Sequence, residues 1–247
     1  MLATLALLVL LTYSVNAVKF IDMISKSTIE VLHGSRREET VRQCICSEMS
    51  ECYDSAKQQA YDCFDPCWKE INAYSLTQEP EKLRVCFEKR RGFVDDIINC
   101  FRTKIKACEN DIEKAKVVHV KTYDYPDMIK RVEDVINEQI QTFLNSITSN
   151  HVKVNCFRNL FVQQVVHAGA SVARCVKNCF IEKNKDGYCF DKKGCEPNIA
   201  DRNAKLAIRQ CSRQVNWKKE IGDLCTCSSQ AGVHGISDYC GMLSIMG

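Results

Sequence analysis

The sequence lacks several features that would assign it to a familiar class of protein. Beyond its first residues it has no apolar run near the roughly 18 residues that span a bilayer. No asparagine is followed two positions later by serine or threonine, so there is no acceptor for N-glycosylation. The net charge of +3 is too small to indicate a nucleic-acid partner. These absences predict a chain with no membrane span and no nucleic-acid partner.

Catalytic signatures are missing as well. The sequence contains five histidines, but none belongs to a His-Glu-x-x-His motif and none precedes an aspartate. There is also no Gly-x-Ser-x-Gly elbow for a nucleophilic serine. His167 lies in an apolar helical segment, where a core histidine is a simpler explanation than a catalytic one. We therefore predict neither an enzyme nor a cofactor.

Cysteine, in contrast, is abundant. All seventeen cysteines lie at or after Cys44, behind an N-terminus that resembles a secretory signal. The stretch from Leu2 to Leu11 is apolar, and small residues precede a predicted cleavage after Ala17. Secretion would bring the chain into an oxidising extracellular compartment, where most of these cysteines should form disulfides.

The odd number of cysteines has its own consequence. Sixteen cysteines can close eight bridges, so the seventeenth must stay free or bond to another chain. Cys240 is our candidate, because it lies in a C-terminal tail with several glycines, where exposure is common. A disulfide-linked homodimer follows as a hypothesis. The alternative is that Cys240 pairs within the chain and another cysteine is left over.

Helical periodicity dominates the hydrophobic pattern, and it predicts an all-α fold of disulfide-stapled helical bundles. The cysteines fall into two groups, which suggests a signal peptide over residues 1–17, an N-terminal cysteine-rich helical half over 18–108, a cysteine-free connector with an amphipathic helix over 109–155, and a C-terminal cysteine-rich helical half over 156–247. Each half contains one Cys-x3-Cys motif, so the halves are either degenerate copies or alike by coincidence. One helix is predicted from Pro80 to about Ile105.

The two Cys-x3-Cys motifs predict how helices are stapled. Residues four apart share a helix face, so Cys175 and Cys179 should bond to one neighbouring element. The same argument for Cys63 and Cys67 is weakened by Pro66, where we expect a helix to end or kink. We predict no zinc site, because neither motif has a matching second pair of ligands.

A calcium site is also not expected. The segment from Glu182 to Gly187 imitates the start of an EF-hand loop. However, the twelfth position, where a bidentate glutamate should close the coordination sphere, is Lys193.

Charge is unevenly distributed along the chain. Residues 47–81 contain eight acidic and two basic residues, whereas residues 183–219 contain ten basic and four acidic ones. One explanation is that both blocks are solvated faces that attract each other. The other is that the basic block is a surface for a polyanion such as a sulfated glycan. The candidate polyanion-binding residues are Lys192, Lys193, Arg202, Lys205, Arg209 and Arg213.

The connector has the most regular apolar stripe in the chain. It begins after Pro126 and recurs every three or four residues, with charged and polar residues on the opposite side. This helix is the best candidate in the chain for a face that binds a partner or a second copy, and ordinary packing inside the monomer is the alternative that we favour. The face consists of Ile129, Val132, Ile136, Ile140, Phe143 and Ile147.

One resemblance bears on function. The first half contains Cys63-Phe64-Asp65-Pro66-Cys67, followed by Cys86, Cys100 and Cys108, and the second half contains a similar pattern around Cys175 and Cys179. This spacing resembles the cysteine-rich helical domains of secreted nematode proteins related to chondroitin proteoglycan 4. The resemblance implies an extracellular, eggshell or matrix-type protein. The chain departs from a proteoglycan core in having no Ser-Gly dipeptide for glycosaminoglycan attachment.

Together these observations predict a secreted, non-catalytic binding or structural protein of the extracellular matrix or secreted interaction type. Its partner would be an extracellular protein or a sulfated glycan. The alternative is a carrier of an apolar small molecule or lipid, because disulfide-held helices can keep a cavity open.

Overall fold

A computed structural model describes residues 23, 25–149, 156–214 and 217–246. The side chains of residues 143–144, 146–149, 156–162, 217–218 and 242–246 are outside this description, as is the predicted signal peptide. None of the helices in the described part of the chain combines the length and the apolar character needed to cross a bilayer.

Helices dominate the structure, as the periodicity predicts. They are α1 (residues 25–34), α2 (Cys46–Cys67), α3 (Pro80–Glu88), α4 (Arg91–Ile105), α5 (Ile112–Val117), α6 (Tyr125–Ser149), α7 (Cys156–Lys183), α8 (Cys189–Lys193), α9 (Asp201–Gln214), α10 (Trp217–Gln230) and α11 (Ser237–Met246), with a 3₁₀ helix over Trp68–Tyr74.

Two helix boundaries differ from the prediction. Helix α2 continues through Pro66 to Cys67 and then tightens into the 3₁₀ helix, so the proline is accommodated in the last turn. The single helix predicted from Pro80 is two helices, because the chain leaves the helical conformation between Glu88 and Arg91.

A small sheet of three strands was not predicted. Its order is β2–β1–β3, where β1 is Arg36–Gln43, β2 is His119–Tyr123 and β3 is Cys195–Glu196. Strand β1 is antiparallel to β2 and parallel to β3. Periodicity missed β1 because it has no buried apolar face: its first five residues are exposed, and its buried residue is Gln43.

The predicted staples are present. Cys63 bonds to Cys179 and Cys67 bonds to Cys175, which holds α2 antiparallel against α7. Cys52–Cys189 and Cys44–Cys195 extend this series to α8 and β3. In these four bonds, a later cysteine of the first group pairs with an earlier cysteine of the second group, as expected for two antiparallel segments. The four bonds form a ladder between the two segments.

The other disulfides connect the remaining helices. Cys100–Cys211 joins α4 to α9, Cys86–Cys227 joins α3 to α10, and Cys46–Cys108 closes a loop beside the sheet. Six of the eight disulfides join the first cysteine group to the second. The two groups are therefore covalently interlocked, and each contains only one internal disulfide, Cys46–Cys108 in the first and Cys225–Cys240 in the second.

The prediction for Cys240 is wrong. Cys240 is bonded to Cys225, fifteen residues earlier, so α11 is tied back onto α10. The eight disulfides use every cysteine except Cys156, whose side chain lies outside the described part. The prediction was wrong because it assumed a mobile tail, whereas this disulfide holds α11 against α10. Eight internal disulfides are compatible with an extracellular protein.

The main core lies where α7 meets the 3₁₀ helix, α3 and α10. Trp68 is central to it and 4% exposed, and it packs against Phe87 with ring centroids 5.4 Å apart. The other buried members include Ile71, Leu83, Val172 and Val233. Cys86 belongs to this cluster, so its disulfide is part of the packed interior.

Candidate functional site

Helix α9 has one buried face and one basic face. Ala204, Ala207, Ile208 and Cys211 are buried, and four of the candidate polyanion-binding residues lie exposed on the opposite face. These are Arg202, Lys205, Arg209 and Arg213. At 1.5 Å per residue, the stripe is about 16 Å long. We call it the α9 basic stripe.

The stripe is held on a rigid support. The buried Cys211 bonds to Cys100 of α4, which fixes the last turn of α9 against the fold. At the start of α9, the Asp201 carboxylate lies 2.9 Å from the imidazole Nε2 of His33 and 3.8 Å from the guanidinium of Arg36. These contacts, the hydrogen bond with His33 first among them, lower the pKa of Asp201. The positive charge of Lys205, a member of the stripe, also contributes to this lowering.

Three of the four cations make no ion pair with any residue that the structure describes. Within the described part of the chain, no carboxylate oxygen lies within ion-pair distance of Arg202, Lys205 or Arg213. Unpaired surface cations of one sign, fixed on one face, produce a local positive potential. That potential is available to an anion from solution.

Helix α1 adds to this surface. A groove of about 380 Å³ lies between α1 and α9, and its lining includes Lys26 together with Lys205 and Arg209 of the stripe. Glu30 also lines the groove and lies 3.7 Å from Lys26 across one helical turn. Three cations and one carboxylate leave the groove positive. The sequence did not indicate Lys26, because it is 179 positions away from Lys205 and only tertiary packing brings them together.

The other two candidate cations lie on α8. Helix α8 packs against α2 and β3. Lys193 forms a hydrogen-bonded ion pair with Glu51 of α2, and its backbone carbonyl accepts a hydrogen bond from Arg42. Lys193 is therefore used to hold α8 in place, while Lys192 is exposed. Lys183 similarly pairs with Asp62 at 3.5 Å. Parts of the acidic and basic blocks thus attract each other within the fold, which was the alternative to a polyanion surface.

The apolar face predicted on α6 is partly covered. Ile129 and Ile140 are half-buried, whereas Val132 is 44% and Ile136 is 52% exposed. The side chains of Phe143 and Ile147 lie outside the described part. Val132 and Ile136 line an apolar groove of about 230 Å³ between α1 and α6, together with Val31, Leu32, Met128 and Val135.

A buried glutamate lies in strand β3. Glu196 of β3 is 1% exposed and accepts a hydrogen bond of 2.7 Å from the hydroxyl of Tyr125, at the start of α6. The backbone of Tyr123 provides a second hydrogen bond. Aromatic rings surround the pair: Tyr188 lies 5.0 Å and Phe190 6.1 Å from the Tyr125 ring, centroid to centroid.

Burial controls the protonation of this pair. Loss of hydration raises the pKa of Glu196 to about 7, and the hydrogen bonds from Tyr125 and Tyr123 oppose that shift. Burial, together with the charge of Glu196, raises the pKa of Tyr125. The Tyr188 hydroxyl is buried and has no hydrogen-bond partner among the described residues. No sequence motif pointed to this pair, because a glutamate beside a cysteine carries no signal of burial.

One group of side chains has the proximity needed for a metal ion. Within the described residues it consists of Cys44, Glu48 and Cys195. The two cysteines form a disulfide, which offers no thiolate to a metal. Glu48 forms an ion pair with Arg42, whose hydrogen bond is the main reason that the pKa of Glu48 is lowered. These side chains already have structural roles.

Comparison of the chain with models of protein families, with curated proteins and with solved structures finds no match.

Proposed function

We propose that this is a secreted, non-catalytic binding or structural protein of the extracellular matrix or secreted interaction type, and that it binds a sulfated polyanion. The α9 basic stripe and Lys26 would form the binding surface. The observation that carries the proposal is the row of fixed cations on α9, three of which have no ion-pair partner in the described part of the chain.

The charge pattern favours a long, flexible polyanion over a compact anion. The cations extend over about 16 Å along one exposed helix face and do not converge on one point. A linear chain with repeated sulfate groups can contact such a row at successive positions. The matrix-type role implied by the resemblance fits this ligand class, and it remains our proposal.

Heparin is a suitable probe for this surface. Neutralising the stripe with R202Q, K205Q, R209Q and R213Q should weaken heparin binding at least about tenfold at low ionic strength, because several surface charge contacts are lost together. Elution from a heparin column should move to lower salt, since exposed charges are screened by ions. Isothermal titration at two salt concentrations would measure both effects.

A control variant separates the stripe from the total charge. It changes four exposed lysines on other elements to glutamine, so the net charge falls equally. These are Lys69, Lys89, Lys106 and Lys114. The control should bind heparin nearly as well as the unmodified chain. Equal weakening of both variants would mean that heparin responds only to net charge, and the proposed surface would be abandoned.

We further propose that the secreted chain forms a disulfide-linked homodimer through Cys156. The eight internal disulfides leave Cys156 as the cysteine without a partner by count, so a disulfide at this position requires another molecule. The non-reduced protein should have twice the mass of the mature chain and become a monomer on reduction. Cys156→Ser should yield only monomer.

Two results would contradict the dimer. One is a non-reduced monomer that accepts a single alkylating group at Cys156. The other is a dimer that persists in the Cys156→Ser variant, which would place the intermolecular bond at a different cysteine and require a different internal pairing.

A further inference from the structure

Strand β2 lies at the edge of the small sheet. In the strand order β2–β1–β3, β2 has β1 on one side and no strand of the described chain on the other. His119 and Lys121 of this strand are exposed, and so are Val117 and Val118, which precede it. Val117 is 77% exposed, more than any other large apolar residue among those that the structure describes. The first part of this edge therefore lies at the surface of the protein.

The register of the sheet shows which main-chain groups of β2 are used. The N–H of Gln43 donates to the carbonyl of Val118 at 2.8 Å, just beyond the register pairs of β1 and β2. In an antiparallel pair, alternate residues direct their N–H and C=O groups toward the neighbouring strand. Val118 and Val120 therefore direct these groups to β1, whereas those of His119 and Lys121 point away from it.

Four main-chain groups on this edge have no hydrogen-bond partner in the part of the chain that the structure describes. They are the N–H and C=O groups of His119 and Lys121. The amide of Tyr123 donates to the carboxylate of Glu196, which ends the free edge. An unpaired strand edge is a template for another strand, because its donors and acceptors repeat at a spacing that an extended chain matches.

We propose that β2 binds an extended segment of a partner protein, which adds to the three-stranded sheet as a further strand. The main chain of this segment would pair with the free N–H and C=O groups of His119 and Lys121. Because side chains alternate between the faces of a strand, one set would lie beside His119 and Lys121, where acidic residues are favoured. The other set would lie beside Val118 and Val120, where β-branched apolar residues are favoured. The recognised segment is therefore one in which acidic and apolar residues alternate.

The local charge supports an acidic partner. Residues 114–121 contain three lysines and no acidic residue. Lys121 already pairs with Glu38 of β1 at 2.9 Å, but the side chain of Glu38 is 92% exposed, and a surface ion pair of this kind contributes little to stability. A lysine ammonium has three N–H donors, so an acidic residue of the partner can share Lys121 with Glu38.

A second copy of the chain fits this edge less well. Antiparallel pairing that engages His119 and Lys121 of both copies is centred on Val120. It places Lys121 of each copy opposite His119 of the other copy, and neither of these basic side chains provides a negative charge to its neighbour. Like charges directly opposite each other destabilise a strand pair. Charge complementarity therefore selects a different, acidic polypeptide as the occupant.

The probe is a synthetic peptide of alternating glutamate and valine with blocked ends, about seven residues long so that it covers the five of β2. Amide hydrogen exchange of the Cys156→Ser chain, followed by NMR, measures its binding. Without peptide, the amides of His119 and Lys121 should exchange rapidly, because they have no hydrogen bond. Saturating peptide should slow both at least about tenfold and leave the amide of Val120, which already bonds to β1, nearly unchanged. Absence of saturable binding, or binding without protection of these two amides, would overturn the proposal.

A second peptide separates hydrogen bonding from charge attraction. N-methylation of every amide removes the donors of the peptide and keeps all of its charges. This peptide should bind at least about tenfold more weakly than the first and should not protect the amides of His119 and Lys121. Equal binding of the two peptides would mean that β2 attracts them by charge only, and strand addition would be wrong.

Lys121→Pro blocks the edge from the protein side. The proline ring removes an N–H that does not bond to β1, and edge strands tolerate proline at such positions. Binding of the first peptide should weaken at least about tenfold, because one donor is lost and the ring obstructs pairing. Lys121→Gln is the matched control: it loses the same charge but keeps the N–H, so binding should weaken at most about threefold. Equal binding by the two variants would overturn the assignment to β2, and the two peptides decide the same question if Lys121→Pro does not fold.

Self-association would give a different result from peptide binding. Protection of the His119 and Lys121 amides that grows with protein concentration in the absence of peptide would identify a second copy as the occupant and overturn the proposal. The test is also independent of the proposed function, because β2 shares no residue with the α9 basic stripe and the Cys156→Ser chain cannot form the proposed disulfide. Failure of heparin binding or of dimerisation would therefore leave the assignment of β2 unaffected.

Discussion

Removal of both staples between α2 and α7 should cause the largest loss of stability in this protein. Replacing Cys63, Cys67, Cys175 and Cys179 by alanine should lower the free energy of unfolding by about 5 kcal/mol, from two disulfides worth typically 2–4 kcal/mol each. Domains of ordinary stability have about 5–15 kcal/mol in total. Urea unfolding of the oxidised protein, followed by circular dichroism, would measure the change.

A two-cysteine variant tests the reason for this effect. When Cys67 and Cys175 alone are replaced, Cys63–Cys179 still holds the same two helices one turn away, so the additional loop that is opened is only about ten residues. The expected loss is then about 2 kcal/mol. If the four-cysteine variant does not fold, this two-cysteine variant should still fold. Equal urea midpoints for the two-cysteine and four-cysteine variants would show that the Cys63–Cys179 disulfide adds no stability.

The stapling of the Cys175–Cys179 helix to a neighbouring element could be predicted from the sequence because its determinants are local. Two cysteines four residues apart on a helix present their sulfurs on one face, so both can reach the same neighbouring element. The actual partners could not be deduced, because a cysteine at one position is chemically identical to a cysteine at any other. Cys240 illustrates the limit: its tail position suggested exposure, yet α11 folds back and places it beside Cys225.

The candidate site was predictable to a similar extent. The spacing of Arg202, Lys205, Arg209 and Arg213 was sufficient to place them on one face of α9, because helix periodicity depends only on the local chain. The assignment of Lys193 to the same surface was not supported, since its ion pair with Glu51 depends on the packing of α8 against α2. Lys26 was missed for the same physical reason, because its position beside α9 depends on the tertiary packing of α1 against α9.

Stability should fall as the pH rises from about 4.5 to 7, because of Glu196. In the folded chain burial raises the pKa of Glu196 to about 7, whereas a glutamate in an unfolded chain has its ordinary pKa of 4.5. Below pH 4.5 both states hold the proton, and the contribution of Glu196 is fully present. Between these values only the unfolded state releases it, so stability declines by about 1.4 kcal/mol per pH unit, or about 3 kcal/mol across the window.

Glu196→Gln isolates this contribution from the rest of the protein. Several carboxyl groups, including Asp54, Asp124 and Asp201, have a lowered pKa and therefore act in the opposite direction at acidic pH. They are common to both proteins and cancel in the difference. The unfolding free energy of the unmodified chain minus that of the variant should fall by about 3 kcal/mol between pH 4.5 and 7. A difference that stays constant over this range would mean that Glu196 titrates normally.

The Tyr125 hydroxyl provides an independent test of the cause. Its hydrogen bond to Glu196 stabilises the charged carboxylate, so it opposes the effect of burial. Tyr125→Phe removes the hydroxyl and retains the ring that packs against Tyr188 and Phe190. The pKa of Glu196 should therefore rise further, and the decline in stability should extend to a higher pH than in the unmodified chain. A shift of the decline to lower pH would show that the hydrogen bond favours the protonated carboxyl instead, and that burial alone does not set the window.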